Sequence, residues 1–538
     1  MGASAYGEGV GAMATVDESR LLSSREPAGR WVLFATVLGT GVAFLDATVV
    51  NIALPAIGRD LDTALAGLQW TVNGYTLTLA SFILLGGSLG DRFGRRRIFV
   101  FGVVWFAIAS LLCGLAPNVE TLVAARALQG IGGALLTPGS LAILQASFVE
   151  QDRGKVIGAW SGLSGLAGAI GPFLGGWLVE TATWRLVFLI NVPLAALVVV
   201  VCLRHVPESM DPRAPRQFDI AGSVLCAAGL AGLTYGLIAW GETGTATLSA
   251  VLALAGGLGA LVLFVLVERS SGHPMMPLDV FSSPVFRAVN LVTFAVYAAL
   301  GGLFFMLVIT LQVVAGFSPI LAGTALLPVT AIMLLLSAWA GGFGQRVGPR
   351  IPMTFGPVVA AAGLLLLSRI GPGASYVVDV LPGVVVFGLG LSLTVAPLTA
   401  TVLASASQRH AGVASGVNNA IARSAGLLIV AALPLLVGLS GDAYADPVLL
   451  EPAFAQSMLL CAGLLVVGGV LSAVSLRPAA KRAKTPEPAQ PEAAQPEPAG
   501  PRAAFAEVEP SPCRVHCAIA GTPLQPTTQA QPPTQTRA

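Results

Sequence analysis

Charge is scarce in this chain: Lys, Arg, Asp and Glu make up 10% of its 538 residues, whereas 55% are hydrophobic and the mean hydropathy is +0.80. So little charge cannot solubilise so much apolar surface, which excludes a soluble globular protein and points to a polytopic membrane protein. The formal charge of +2 provides no basic field of the kind nucleic acids need, so DNA and RNA are not expected partners. Cysteine is sparse as well. Four of the six cysteines fall in apolar segments, which argues against a disulfide framework. Cys513 and Cys517 flank His516 in CRVHC, but no second ligand pair accompanies them and no metal site is expected. The first thirty residues hold no apolar core of a cleaved signal peptide, so the first span must itself direct insertion. No histidine is expected inside a span, and no paired carboxylates, nucleophile elbow or phosphate loop is visible, so an enzyme is not expected. Nor is there a selectivity-filter ring of a channel.

What the chain does have is long apolar runs. Fourteen stretches of about 18 to 27 residues are each long enough for a hydrocarbon core of about 30 Å. They lie near 31–57, 68–90, 97–116, 121–147, 155–178, 184–203, 218–240, 248–267, 288–314, 319–341, 351–368, 377–403, 411–437 and 453–476. With a cytoplasmic N-terminus, the inner loops carry fourteen Lys and Arg, including Arg95, Arg96, Arg97, Arg213, Arg216 and Arg409. The outer loops carry three, Arg59, Arg185 and Arg369. The positive-inside rule then places both termini in the cytoplasm and favours an even number of spans. From Arg477 the composition turns to Pro, Ala, Gln, Glu and Thr, so residues 477–538 read as a disordered cytoplasmic tail. Arg477, Lys481, Arg482 and Lys484 at its start are placed to meet anionic lipid.

An internal repeat organises the spans. Gly90, Arg92, Gly94 and Arg96 correspond to Gly344, Arg346, Gly348 and Arg350 at an offset of 254, and the same offset carries Gly158–Gly162 onto Gly412–Gly416. Both matches step forward by eight spans, so a duplicated set of six is expected with two spans inserted between the copies. The expected parts are a cytoplasmic segment 1–30, a six-helix bundle 31–203, a linker 204–287 with two extra transmembrane helices, a second six-helix bundle 288–476 and the tail 477–538. Parallel repeats with a site at the membrane midplane are the layout of a secondary transporter with alternating access.

Polar residues inside apolar spans single out the candidate site. Asp46 stands near the middle of the first span with Gly39 and Ala43 on its face. Burial favours the neutral form of a lone carboxylate. Such a group can take a proton outside and release it inside, and neutralising it removes the cost of moving a charge, about 2.3 kcal/mol per 100 mV. The alternative is a carboxylate tied permanently to Thr48, Asn51 or Arg126 as helix glue. In the fourth span Arg126 shares a stripe with Gln129, Gly130 and Gly133. An arginine at a span centre costs about 2.5–3.5 kcal/mol on insertion scales, which favours a functional reason for it. Glycines recur every three or four positions in the fifth span, through Gly158, Gly162, Gly165, Gly168, Gly171 and Gly175, with Pro172 breaking the ladder. Such a face packs tightly or bends. In the thirteenth span Asn418, Asn419 and Arg423 are candidates to line the second half. Gln312, Trp70, Tyr75 and Tyr297 are further candidates for substrate contact, aromatics at span ends being more often interface anchors.

These segments resemble the major facilitator superfamily, and within it the 14-helix drug:proton antiporters. GSLGDRFGRRR, with Gly87, Asp91, Arg92, Gly94, Arg95 and Arg96, looks like the signature loop between helices two and three, and Gln345 in place of an acid fits a weaker second copy. LVAARALQGIGG with Arg126, Gln129 and Gly130 is similar to the helix-four motif. GPFLGG, from Gly171 through Pro172 and Gly175 to Gly176, is similar to the antiporter motif of helix five, with Ala167 departing from a usual glycine. LDATVVNIALP, Leu45–Pro55, resembles the helix-one motif. The resemblance covers about residues 30–477. It implies an all-α integral membrane protein of the major facilitator fold and a proton-coupled efflux transporter. The implied cargo is amphipathic or aromatic: antibiotics, dyes, quaternary ammonium compounds or a self-made metabolite.

Asp46 and Arg126 are the expected proton-coupling pair. Asn51, Gln129, Gly130, Gly171, Pro172, Gly175, Asn418, Asn419 and Arg423 are expected at the cavity or gates, and Gly87 to Arg96 at the conformational switch. No cofactor is expected, the proton gradient being the energy source. The expected partners are small molecules, protons and the bilayer of the cell membrane, with the chain a monomer. A dedicated single-metabolite exporter and a proton-coupled importer of the same fold are the alternatives.

Overall fold

The computed structural model of the protein describes residues 21–211, 219–272, 274–405 and 411–476. Arg213, Arg216, His273, Arg409, His410 and the tail from Arg477, with Cys513, His516 and Cys517, lie outside the described residues. The helices of the first part are α1 (Pro27–Asp60), α2 (Leu65–Phe93), α3 (Arg95–Gly114), α4 (Val119–Ser147), α5 (Glu150–Thr181), α6 (Leu186–Leu189) and α7 (Asn191–His205). Next come α8 (Ile220–Thr243) and α9 (Leu248–Ser270). The last part holds α10 (Pro284–Val313), α11 (Pro319–Thr324), α12 (Leu327–Val347), α13 (Arg350–Leu367), α14 (Leu381–Ser405), α15 (Ala411–Leu436) and α16 (Pro447–Ser475). Fourteen helical segments are long and apolar enough to cross a membrane, because α6 with α7, and α11 with α12, each make one span. Among the described residues there is no strand, only an isolated bridge between Leu22 and Phe148. The protein is a multi-pass membrane protein.

Local chemistry explains where these helices start and break. Ser283, Ser318 and Asp446 accept hydrogen bonds from the first turns of α10, α11 and α16, and each is followed by a proline at N1, where its missing N–H is no loss. Pro193 lacks the N–H that would continue the ladder across Ile190, and Pro328 does the same between α11 and α12. His205 corrects one expectation: it is the last residue of α7, stacked on Trp31 at 4.9 Å.

The repeat is visible in the packing. In the first half α1 packs on α5, α2 on α4 and α3 on α4; in the second, α10 packs on α15, α12 on α14 and α13 on α14. These are the same pairs displaced by the offset of 254. The two loops that begin α3 and α13 turn on glycines in the left-handed region, Gly94 at φ 110° and Gly348 at φ 86°, where any side chain would be strained.

The halves meet through exchanged partners, α2 against α15 and α5 against α11 and α12. At the end remote from Arg95–Arg97 the seam is sealed. Gln69 Nε2 donates to Val430 O at 2.7 Å and to Ala431 O at 3.2 Å, and Tyr444 Oη donates to Thr63 O at 3.0 Å. A side chain at Gly323 would collide with the Pro172 carbonyl. Towards the arginine-rich end the glycine face of α5 is bare: Gly154, Gly158, Gly162 and Gly165 have nothing within 4 Å of a would-be Cβ, and neither has Gly342 on α12. On the flank of α5 and α12 the halves are therefore packed together at the sealed end and bare towards the arginine-rich end.

The helices α8 and α9 pack on each other where Gly232 and Gly257 let the backbones approach, and α8 then lies against both α2 and α15. Ala80, Leu230 and Leu427 form the small apolar cluster at that junction. In α9 only 17% of the most apolar window is buried, and Leu252, Leu258, Val262 and Leu266 are exposed, a surface suited to lipid tails.

Candidate functional site

Four helices converge on Asp46. Its side chain on α1 is fully buried, as are Ser110 on α3, Gln129 on α4 and Asn191 at the start of α7, while Arg126 on α4 is 1% exposed. The Asp46 carboxylate is not lone. Oδ2 accepts from Arg126 Nη1 at 2.6 Å, and Oδ1 accepts from Gln129 Nε2 at 2.8 Å and Asn191 Nδ2 at 3.0 Å. Ser110 Oγ accepts from both amides and donates to the Phe188 carbonyl at 2.9 Å. Arg126 also donates to Gln129 Oε1 at 2.6 Å and through Nε to the Thr71 carbonyl at 3.0 Å, with its guanidinium over the Tyr75 ring at 4.3 Å. Asn191 Oδ1 is fully buried in this network and accepts no hydrogen bond.

Of the three tethers weighed for Asp46, only Arg126 is one. Thr48 Oγ1 is occupied with the carbonyls of Phe44, Leu45 and Gly168, and Asn51 Nδ2 reaches only the Ala47 carbonyl of its own helix at 3.4 Å. Ser110 and Asn191 are the network members the sequence reading missed. The signal for Asn191 is an amide inside an apolar run two residues before Pro193, at a helix break; Ser110 carries no such mark.

Several glycines expected at the cavity or gates make close contacts between helices. A side chain at Gly130 would strike Thr78 and the Tyr75 carbonyl on α2; at Gly171 it would strike Thr48; at Gly175 it would lie 2.6 Å from Val49 Cγ2. These glycines let α4 meet α2 and α5 meet α1, while the Pro172 carbonyl sits against Gly323 in the sealed end. Asn418 is engaged within its own half, donating to Asn290 Oδ1 at 3.0 Å and Thr293 Oγ1 at 2.8 Å. Gln312 donates to the Ile52 carbonyl at 3.1 Å, and Tyr75 is buried under Arg126. Asn419 and Arg423 are half-buried on α15 and make no hydrogen bond or ion pair among the described residues.

At the arginine-rich end, the turn after α2 is clamped to the segment that follows α7. Asp91 pairs with Arg95 at 2.8 Å, and the Glu208 carboxylate accepts from the Arg96 backbone N–H at 3.0 Å and lies 3.7 Å from both Arg96 Nε and Arg97 Nε. Arg96 Nη1 donates to the Val206 carbonyl and Arg95 N to the Ser209 carbonyl. A side chain at Gly87 would meet Pro138 of α4 in ordinary contact, and Arg92 lies over Phe93.

Residues 36–431 match the sequence profile of the Major Facilitator Superfamily. The chain belongs to the major facilitator superfamily. It is therefore a transporter and not an enzyme. It is 37% identical over 423 residues to the tetracenomycin C resistance and export protein of Streptomyces glaucescens, covering 77% of each chain. It is 35% identical over 389 residues to the multidrug resistance protein Stp of Mycobacterium tuberculosis, covering 72% of each. Among solved structures it resembles the inward-open xylose transporter XylE from E. coli, with a TM-score of 0.57 at 15% identity, over 84% of this chain and 97% of that one; at that identity the fold alone is shared.

For this major facilitator chain the loop geometry makes a prediction about Glu208, whose role the sequence did not suggest. Glu208→Ala removes the acceptor of the Arg96 N–H and the carboxylate that lies beside Arg96 and Arg97. It is expected to cost about 1 kcal/mol, or about 1–3 °C in melting midpoint, and to slow transport severalfold without changing which compounds are carried. Unchanged melting and unchanged rates together would detach this clamp from the moving parts.

Proposed function

We propose that the protein is a proton-coupled exporter of amphipathic or aromatic small molecules, driven by the proton gradient with no cofactor. The observation that carries this reading is the Asp46 carboxylate, whose two oxygens already accept three hydrogen bonds in a dry site beside the unpartnered Asn191 Oδ1. Ionised, Asp46 is an ideal acceptor for every group around it. Protonated, it carries an O–H where a donor already points, so Arg126 or an amide must withdraw. Rotation of the Asn191 amide turns its free oxygen towards that O–H and takes one donor away, while Arg126 keeps the Thr71 carbonyl, Gln129 and the Tyr75 ring. One proton thus exchanges an α1–α4 ion pair for neutral contacts at a point where α1, α3, α4 and α7 meet, and two arrangements of the first half follow.

In the cycle we infer, both termini and the arginine-rich loops are cytoplasmic, so the described state is open to the cytoplasm with Asp46 paired. Cargo enters there. After the halves rock, Asp46 takes a proton from outside and cargo leaves; the return releases the proton inward and restores the pair. The 31–203 and 288–476 bundles are the rocking units. The names of the relatives, which concern resistance and export of antibiotics and drugs, support export over import.

The test is a panel of antibiotics, dyes and quaternary ammonium compounds in proteoliposomes with an imposed pH gradient. The expected result is uphill movement of at least one aromatic compound against the direction of proton flow, abolished by a protonophore. Movement of cargo in the same direction as protons, or movement indifferent to the gradient, sinks the antiport reading.

A further inference from the structure

Three charged side chains stand in the middle portions of the fourteen membrane-spanning helices: Asp46, Arg126 and Arg423; among the described residues every other one lies near a helix end. Asp46 and Arg126 neutralise one another at 2.6 Å. Arg423, midway along α15, is left over. It reaches across the seam to the Phe44 ring of α1, 6.0 Å from its centroid. Asn419 lies one turn earlier on the same face of α15, half-buried and equally without a partner. Asn418, by contrast, is tied to α10, which fixes the rotation of α15 and hence where the Arg423 side chain starts.

An arginine in a span without a counter-ion is tolerable while the cavity is open to water and becomes costly once the halves close and water leaves. The interior then needs a negative charge that the described chain does not supply. We infer that the cargo supplies it: the transported class is a flat aromatic compound bearing a carboxylate or phenolate, with its anionic group on Arg423 and Asn419 and its ring against Phe44. A guanidinium offers a carboxylate two parallel N–H donors, and an adjacent ring face suits a planar apolar body. A quaternary ammonium cargo would put a second positive charge beside Arg423 and is disfavoured. This deepens the export reading and rests on it only for the direction of transport.

The test is equilibrium binding to the full chain in phosphatidylcholine nanodiscs at one pH on both faces, so that no anionic headgroup competes and no gradient is involved. Three fluorescent probes share one ring system: anthracene-9-carboxylate, its primary amide and the (anthracen-9-ylmethyl)trimethylammonium ion. The wild type is expected to bind the carboxylate at least about tenfold more tightly than the ammonium. Arg423→Gln is expected to weaken the carboxylate about tenfold and leave the amide, its internal control for folding, unchanged; Arg423→Lys keeps the order. Equal binding of all three, a preference for the ammonium, or a carboxylate preference that survives in Arg423→Gln overturns the proposal. Loss of that preference in Arg423→Lys with amide binding intact does so too. Because no pH gradient enters, failure of proton-driven export leaves this readout standing, and failure here leaves the export reading to its own test.

Discussion

Asp46→Asn is expected to give a protein that inserts and folds yet loses uphill export by about a hundredfold or more. The side chain keeps its shape but can no longer alternate between acceptor-only and donor forms. Its amide N–H₂ meets Arg126 or the amides of Gln129 and Asn191, all donors in the described arrangement. The Asn191 oxygen, free in the wild type, is the one buried acceptor at hand. The variant therefore imitates the protonated protein and stays there, so gradient-driven accumulation stops while exchange of cargo down its own gradient continues. A two-compartment assay in proteoliposomes separates these: accumulation against a gradient with the pH step imposed, and counterflow with no step. Normal accumulation in this variant would remove Asp46 from the coupling.

Arg126→Ala is the complementary case and the more damaging one for the fold. It leaves the Asp46 carboxylate in a dry site without its cation, a loss of about 3–5 kcal/mol when one partner of a buried pair is removed, and it removes the hydrogen bond to the Thr71 carbonyl that joins α4 to α2. The expected outcome is poor yield, a melting midpoint lowered by several degrees and no proton-driven export. Asp46→Asn combined with Arg126→Gln removes both charges, so stability is expected to return towards wild type while export does not. If the double variant melts no higher than Arg126→Ala alone, an unpaired carboxylate is not the cause of the damage.

The fourteen spans and the charged core of the site were legible in the sequence for one reason: in lipid every backbone group must be bonded within its own helix, so apolar length alone announces a span, and a charge inside one stands out. Hydropathy lost the ends. Helix α5 starts at Glu150 and α16 at Pro447, several residues before their apolar runs at 155 and 453, because a polar turn stays helical beyond the hydrocarbon. Asp46, Arg126 and Gln129 were readable one at a time, but that Arg126 rather than Thr48 or Asn51 holds Asp46 depends on how α1 crosses α4. Asn191 joins only because Pro193 breaks the sixth span and brings the first turn of α7 to the site. The glycines of α5 show the converse limit. Their spacing announced a bare face, yet the same face is packed on α1 at Gly171 and Gly175 and has open space at Gly158 and Gly162.

The pair α8–α9 touches one helix from each half, α2 and α15, and among the described residues no hydrogen bond joins α8 to either. In the proposed rocking cycle, a body in contact with both halves must slip on at least one of them. Methyl and leucyl groups such as Ala80, Leu230 and Leu427 slide past each other with little directional resistance. In that cycle the inserted hairpin has the character of a greased bearing, touching both halves without fastening either.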